Sequence, residues 1–95
     1  MSKPNNEIDG AKVLYWAWSG SVPFGFVGDP KDPMASKIYG VAICQYENSN
    51  EFYRFSCDEN WETQQDQVYD SVKLAIENLP DQYKNVSADW IEFED

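Results

Sequence analysis

Residues 51–61 read E-F-Y-R-F-S-C-D-E-N-W, and their reading decides the fold. Phe52, Tyr53 and Phe55 supply three aromatic residues within the first seven positions, a composition that favours strands over helices. Glu51–Cys57 is therefore predicted as a strand. Asp58, Glu59 and Asn60 supply turn chemistry, and Trp61 stands where a short fourth strand would begin. Upstream, Ile38–Tyr46, I-Y-G-V-A-I-C-Q-Y, is a matching apolar run. Asn48-Ser49-Asn50 between them reads as a three-residue hairpin loop with Asn50 in the left-handed conformation. This pairing sets Tyr46 opposite Phe52 and Ile43 opposite Phe55. It gives Tyr39, Val41, Ile43, Tyr53, Phe55 and Cys57 one face, the expected core, because register follows the hydrophobic pattern. Ala42, Cys44, Tyr46, Phe52, Arg54 and Ser56 take the other. Cys44 and Cys57 then lie on opposite faces, so no disulfide is expected.

Working outward, Lys12–Trp18, K-V-L-Y-W-A-W, is the first strand. Val13, Tyr15 and Ala17 alternate with Leu14, Trp16 and Trp18, and both faces are apolar. The strand is therefore central, or one of its faces is a contact surface. Residues 19–37 carry Gly20, Pro23, Gly25, Gly28, Pro30 and Pro33, which break regular structure. Phe24, Phe26 and Val27 suggest a brief edge strand within them, and Asp32-Pro33 a single helical turn. Beyond Trp61, Asp70 is expected to cap a helix over Ser71–Leu79. Its Val72, Ala75, Ile76 and Leu79 follow helical spacing, and Pro80 stops it. Thr63 and Asp66 resemble a capping box, which leaves open an earlier start at Thr63. Ala88–Glu94 reads as the last strand.

The fold class expected from this order is α+β. It is a predominantly antiparallel sheet of four to five strands with one helix packed on one face, in the order β-β-β-β-α-β. Ninety-five residues suit a single domain spanning residues 1–95, with residues 1–11 as a flexible lead-in. No apolar run is long enough for a membrane helix. The N-terminus lacks the apolar core of a signal peptide, and two cysteines without an export signal suit a reducing compartment. The expected location is the cytoplasm.

The net charge of −10 is placed unevenly. Four acids balance four lysines in residues 1–46, whereas residues 47–95 hold thirteen acids against Arg54, Lys73 and Lys84. Such a field repels nucleic acid and anionic membrane and steers basic proteins inward. Histidine is absent, which removes the commonest general base and metal ligand. The glycines Gly20 and Gly25 have phosphate-loop spacing, but Phe26-Val27 follows where Lys-Ser/Thr is required. Asp58, Asn60 and Glu62 imitate the first ligands of a calcium loop, but Thr63 replaces its glycine and Tyr69 its final glutamate. At most a weak divalent site is expected there. No catalytic residues and no cofactor are expected, and the chain is read as a non-enzyme.

Recognition remains. Aromatic anchors inside a charged rim are the usual make-up of tight interfaces. The candidate contact residues are Asp58, Glu59, Trp61, Glu62, Asp66 and Asp70 around the turn, with Trp16 and Trp18 on the first strand. The run F-Y-R-F-S-C-D-E-N-W-E-T, followed by Y-D-S-V-K-L-A-I-E-N and a final W-I-E-F, resembles a pattern in small uncharacterised bacterial acidic α+β proteins. Similar proteins occur among immunity proteins that neutralise toxins, including nucleases. The resemblance covers the second half of the chain. It implies a cytoplasmic inhibitor of a basic partner and carries over no functional residue. The alternative expectation is a small homo-oligomeric assembly domain, a homodimer that pairs through an exposed Trp16/Trp18 face.

Overall fold

The computed structural model describes residues 3–29 and 31–94. In chain order the strands and helix are β1 (Glu7–Ile8), β2 (Ala11–Trp18), β3 (Gly25–Val27), β4 (Ser36–Ile38), β5 (Gly40–Gln45), β6 (Phe52–Cys57), β7 (Thr63–Tyr69), α1 (Val72–Glu77) and β8 (Ile91–Glu92). A 3-10 turn, Asp81–Tyr83, lies between α1 and β8. Six strands form one antiparallel sheet in the order β1-β2-β5-β6-β7, with β8 beside β1 along the outer edge of β2. β3 and β4 form a separate two-stranded sheet. The architecture is mostly antiparallel sheet with one short helix, and the sheet is larger and more curled than the four to five strands expected. Among the described residues no helix is long and apolar enough to cross a membrane.

The lead-in expected over residues 1–11 instead contributes a strand. Ile8 pairs with Ala11 around Asp9 and Gly10, whose φ values are 51° and 83°. Two positive φ angles make the hairpin turn whose twist matches the flanking strands, which is why Asp-Gly suits it. Ile8 and Pro4 are buried, and Lys3 sits 4.5 Å above the Phe93 ring. The start of the chain is thus tied down beside its end.

In β2 the register slips between Val13 and Tyr15. The extra residue, Leu14, is a bulge, and its carbonyl accepts the Phe93 N–H at 2.9 Å. The bulge corrects the simple alternation: Val13 now shares a face with Trp16 and Trp18. Across the next ladder Ala42 pairs with Phe55, Ile43 with Arg54 and Cys44 with Tyr53, one residue away from the expected register. The loop is longer than three residues, and Asn48 rather than Asn50 takes the positive φ, 67°. A one-residue slip moves every side chain to the opposite face. The hydrophobic pattern had little power to prevent the misreading, because Val41, Ala42, Ile43 and Cys44 are all fully buried.

The inner face gathers Ile8, Ala11, Val13, Trp16, Ala42, Cys44, Phe55 and Cys57 into one cluster, with Trp61 and Phe93 packed against it. The sheet curls toward this face, so β1 at one end and the turn after β6 at the other meet across it. The outer face holds Ala17 and Val41 under Phe24, Ile38 and Tyr83, rimmed by Leu79, Val86, Ala88 and Trp90. The helix packs chiefly against the β6–β7 end. The β3–β4 hairpin, the 3-10 turn and the segment after it cover the rest.

Arg54 points into this outer layer and is only 2% exposed. Its guanidinium reaches the Tyr69 hydroxyl and the Gln65 side-chain oxygen, each at 3.5 Å, and lies 5.4 Å from the centre of the Tyr83 ring. The Tyr83 hydroxyl donates to the same Gln65 oxygen at 2.6 Å, with Ser56 beside it but outside hydrogen-bond geometry. Tyr69 donates to the Asn78 carbonyl at 3.2 Å. These contacts link the helix end and the 3-10 turn to β6 and β7.

The stretch after Trp61 resolves the choice between a short fourth strand and an early helix start. Thr63–Tyr69 is a full strand paired along β6 from Cys57 to Phe52, which rules out a helix beginning at Thr63. The helix starts at Val72, and its cap is Ser71 rather than Asp70, with Ser71 Oγ accepting the Leu74 N–H at 3.1 Å. Asp32-Pro33 opens a single hydrogen-bonded turn, with the Ala35 N–H on the Asp32 carbonyl at 3.0 Å and Asp32 Oδ1 accepting the Met34 N–H at 2.9 Å. The last strand is shorter than expected, Ile91–Glu92.

β3 meets the 3-10 turn backbone to backbone. A Cβ at Gly25 would run into the Gln82 carbonyl and the Tyr83 Cα. Backbone cannot swing aside as a side-chain tip can, so Gly25→Ala is expected to cost about 1–3 kcal/mol, read as a lower urea midpoint with an unchanged slope.

Candidate interaction surface around the 58–62 turn

The β6–β7 turn is built by Asp58. Its Oδ1 accepts the backbone N–H groups of Asn60 at 2.8 Å and Glu62 at 3.0 Å. The Trp61 N–H bonds back to the Asp58 carbonyl at 3.1 Å, and the Asp58 N–H to the Glu62 carbonyl at 3.0 Å. This is a turn closed by one residue in the left-handed region, a position normally filled by glycine or asparagine. Here it is Trp61, at φ 60°. Holding a bulky side chain there costs on the order of 1–3 kcal/mol.

The packing of the ring offsets that cost. Trp61 lies over Gly40, where a Cβ would come within 2.6 Å of its six-membered ring. It meets Trp16 edge to face at 6.4 Å and Trp18 at 5.7 Å, and Trp18 in turn stacks on Tyr39 at 5.8 Å. Each such pair contributes about 0.5–1.5 kcal/mol beyond area burial. The outcome is a slab of three half-buried rings, Tyr39, Trp18 and Trp61, at one end of the sheet.

Acids rim this slab. Glu59 and Glu62 are exposed on the turn. Between the turn and the β1 hairpin runs a groove of about 410 Å³ lined by Trp61, Glu62, Glu7 and Asp9, among others. Glu7 and Asp9 come from the half of the sequence with no net charge, and only the curl of the sheet brings them to Trp61. No local signal in the sequence marks them.

The expected contact residues separate into groups. Asp58, Glu59, Trp61 and Glu62 come together with Trp18. The Asp58 carboxylate is taken up by the turn, which also accounts for the calcium-like spacing of Asp58, Asn60 and Glu62. Among the described residues no group of three His, Cys, Asp or Glu side chains is placed to hold a metal ion. Asp66 is exposed in the middle of β7, on the inner side opposite Phe55. Asp70 lies past the far end of that strand, roughly 20 Å or more from Glu62 at ~3.4 Å per residue. Trp16 is 4% exposed, so it supports Trp61 from inside the core and presents no surface.

Both cysteines are buried free thiols, and the corrected register places them on the same inner face. Cys44 is level with Tyr53 and Cys57 with Gly40, four residues apart along β5, or roughly 13 Å. Separation along the strand, rather than opposite sidedness, keeps them from bonding. Burial pushes the Cys57 thiol up to about 12 against the counter-pull of its contact with Thr63. Burial pushes Cys44 higher still, with the charges of Cys57 and Asp9 adding to it.

Three measurements test these assignments. In the folded chain both thiols keep their protons above the ordinary value of 9.0, while the unfolded chain loses them. Stability from this source is therefore constant below pH 9 and falls as pH rises from there towards 12. Urea midpoints between pH 8 and pH 11 should show the decline, and iodoacetamide at pH 8 should alkylate the thiols only after unfolding. In a double-mutant cycle, Gly40→Ala is expected to cost about 1–3 kcal/mol in the native background. It should cost little once Trp61→Gly has removed the ring, so the two changes couple rather than add. Compared with known proteins, the chain matches no family model, no curated protein and no solved structure.

Proposed function

We propose that this chain is a protein-binding module for a basic partner, an inhibitor of the immunity type that neutralises a toxic protein such as a nuclease in the cytoplasm. The observation that carries this reading is the Trp61 groove, with Glu7, Asp9 and Glu62 along its lining and Glu59 exposed beside it. An aromatic floor offers area and a cation–π surface to an arginine or lysine side chain. The surrounding carboxylates add attraction at short range, and the excess of thirteen acids over three bases in residues 47–95 steers encounter at long range. The reading requires neither a catalytic residue nor a cofactor, and it assigns no direct contact to nucleic acid or membrane. The alternative, a homodimer pairing through a Trp16/Trp18 face, is less favoured, because Trp16 is 4% exposed and Trp18 is half-buried between Tyr39 and Trp61.

The test is capture of partners from the source cell with the intact chain, followed by binding kinetics at two salt concentrations. A basic partner is expected, with an association rate that falls about tenfold or more between low and high salt. Glu59→Lys combined with Glu62→Lys should slow association by a similar factor without lowering the melting temperature, since both side chains are exposed. An acidic partner, or association indifferent to salt and to these two changes, would overturn the proposal.

A further inference from the structure

β7 closes one side of the sheet and, among the described residues, has no strand beyond it. Among the described residues, no backbone group of Thr63–Tyr69 bonds to backbone outside its ladder with β6. Past the bulge, alternate N–H and C=O groups along Gln65–Tyr69 therefore face outward with no backbone partner among the described residues, a template for an added strand. Of the usual protections of such an edge, a bulge at Gln64 and the inward-facing Asp66 are present, whereas proline and lysine are not. Thr63–Tyr69 reads T-Q-Q-D-Q-V-Y, without proline or lysine, and Gln64, Asp66, Gln67 and Val68 are exposed.

The single charge on the strand, Asp66, selects what can pair there. A second copy docking antiparallel and centred on this edge would set Asp66 against Asp66, and like charges directly opposite are destabilising. Glu62 before the strand and Asp70 after it extend the same sign along the edge. An extended segment carrying lysine or arginine opposite Asp66 would make a favourable cross-strand pair. The start of the edge also opens onto the Trp61 groove, whose lining includes both Thr63 of β7 and Glu7–Asp9 of the β1 hairpin. A segment lying along β7 thus has its end delivered to the aromatic floor.

From the unpaired β7 edge and its single central carboxylate we infer that this protein recognises its partner by strand addition, taking a basic extended segment along Gln65–Tyr69. The inference rests on the proposed binding of a basic partner and specifies how that binding is made. Backbone bonds supply affinity, and Asp66, with Glu62 and Asp70 flanking, supplies the preference for positive charge.

The probe is a displayed library of random ten-residue peptides selected on the intact chain. Enriched peptides are expected to alternate lysine or arginine with β-branched residues. Bound to the protein, they should slow hydrogen exchange at alternate amides of residues 65–69. Methylating the peptide backbone nitrogens that face β7 should weaken binding by about tenfold or more. Asp66→Lys should do the same for the basic peptides while leaving the melting temperature unchanged. Basic peptides that perturb Trp61 fluorescence but leave the β7 amides unprotected would overturn strand addition and leave the basic-partner proposal standing. Enrichment of acidic or purely apolar peptides, or no enrichment at all, would overturn both. A dimer in light scattering that itself protects the β7 amides would show the edge to be occupied by a second copy, and would overturn the inference in favour of self-pairing.

Discussion

The Trp61 ring occupies the space that a side chain on residue 40 would otherwise fill. Much of the inner face depends on that substitution of one residue's bulk for another's. Gly40 leaves β5 bare where β2 and β6 flank it, and the indole that covers the gap arrives from the turn beyond β6. To reach it, the backbone adopts a left-handed conformation that a tryptophan takes only under constraint. Asp58 supplies the constraint from one side by bonding two backbone N–H groups, and Trp16 and Trp18 supply it from the other by packing. A strained residue stabilised in this way holds the turn in one shape, and that turn carries Glu59 and Glu62.

The outer face is organised differently. Its centre is a cation, Arg54, in the company of tyrosines and an amide rather than a carboxylate. Moving a charge out of water is expensive unless it is well paired, and 3.5 Å contacts to neutral oxygens are weak compensation. A tyrosine ring beneath a guanidinium recovers part of the cost. Surrounding acids in a chain of net charge −10 contribute a favourable long-range field. The arrangement ties a six-residue helix, too short to be stable alone, to the sheet that it covers.

The strands of the centre were legible from composition. Lys12–Trp18, Ile38–Tyr46 and Glu51–Cys57 are rich in aromatic and β-branched residues, and all three appear within a few residues of the expected bounds. β7 was legible only as a short fourth strand beginning near Trp61, because T-Q-Q-D-Q carries little strand propensity and no apolar face. It is a strand because the Asp58 turn sends it back along β6. β1 had a signal in Asp9-Gly10, but a two-residue strand has too little pattern to confirm it. The register of β5 on β6 was misread for a physical reason: when both faces of a strand are buried, alternation no longer says which is the core. The acidic turn was read from the sequence, whereas the role of Asp58 as its internal brace needed the backbone hydrogen bonds.

The sequence by itself determined a β-rich α+β domain with a helix near Ala75, an acidic second half, and a turn at Asp58–Trp61 where acids and an aromatic residue adjoin. These follow from local propensity and from charge, which do not depend on long-range contacts. Only the tertiary structure decided which acids surround Trp61, that Trp16 is core and not surface, that both cysteines share a face, and that β7 has no strand beyond it among the described residues. Each of these depends on the curl of the sheet, on a bulge at Leu14 or on a one-residue choice of register. All three are set by packing between residues distant in the chain, which no stretch of sequence encodes alone.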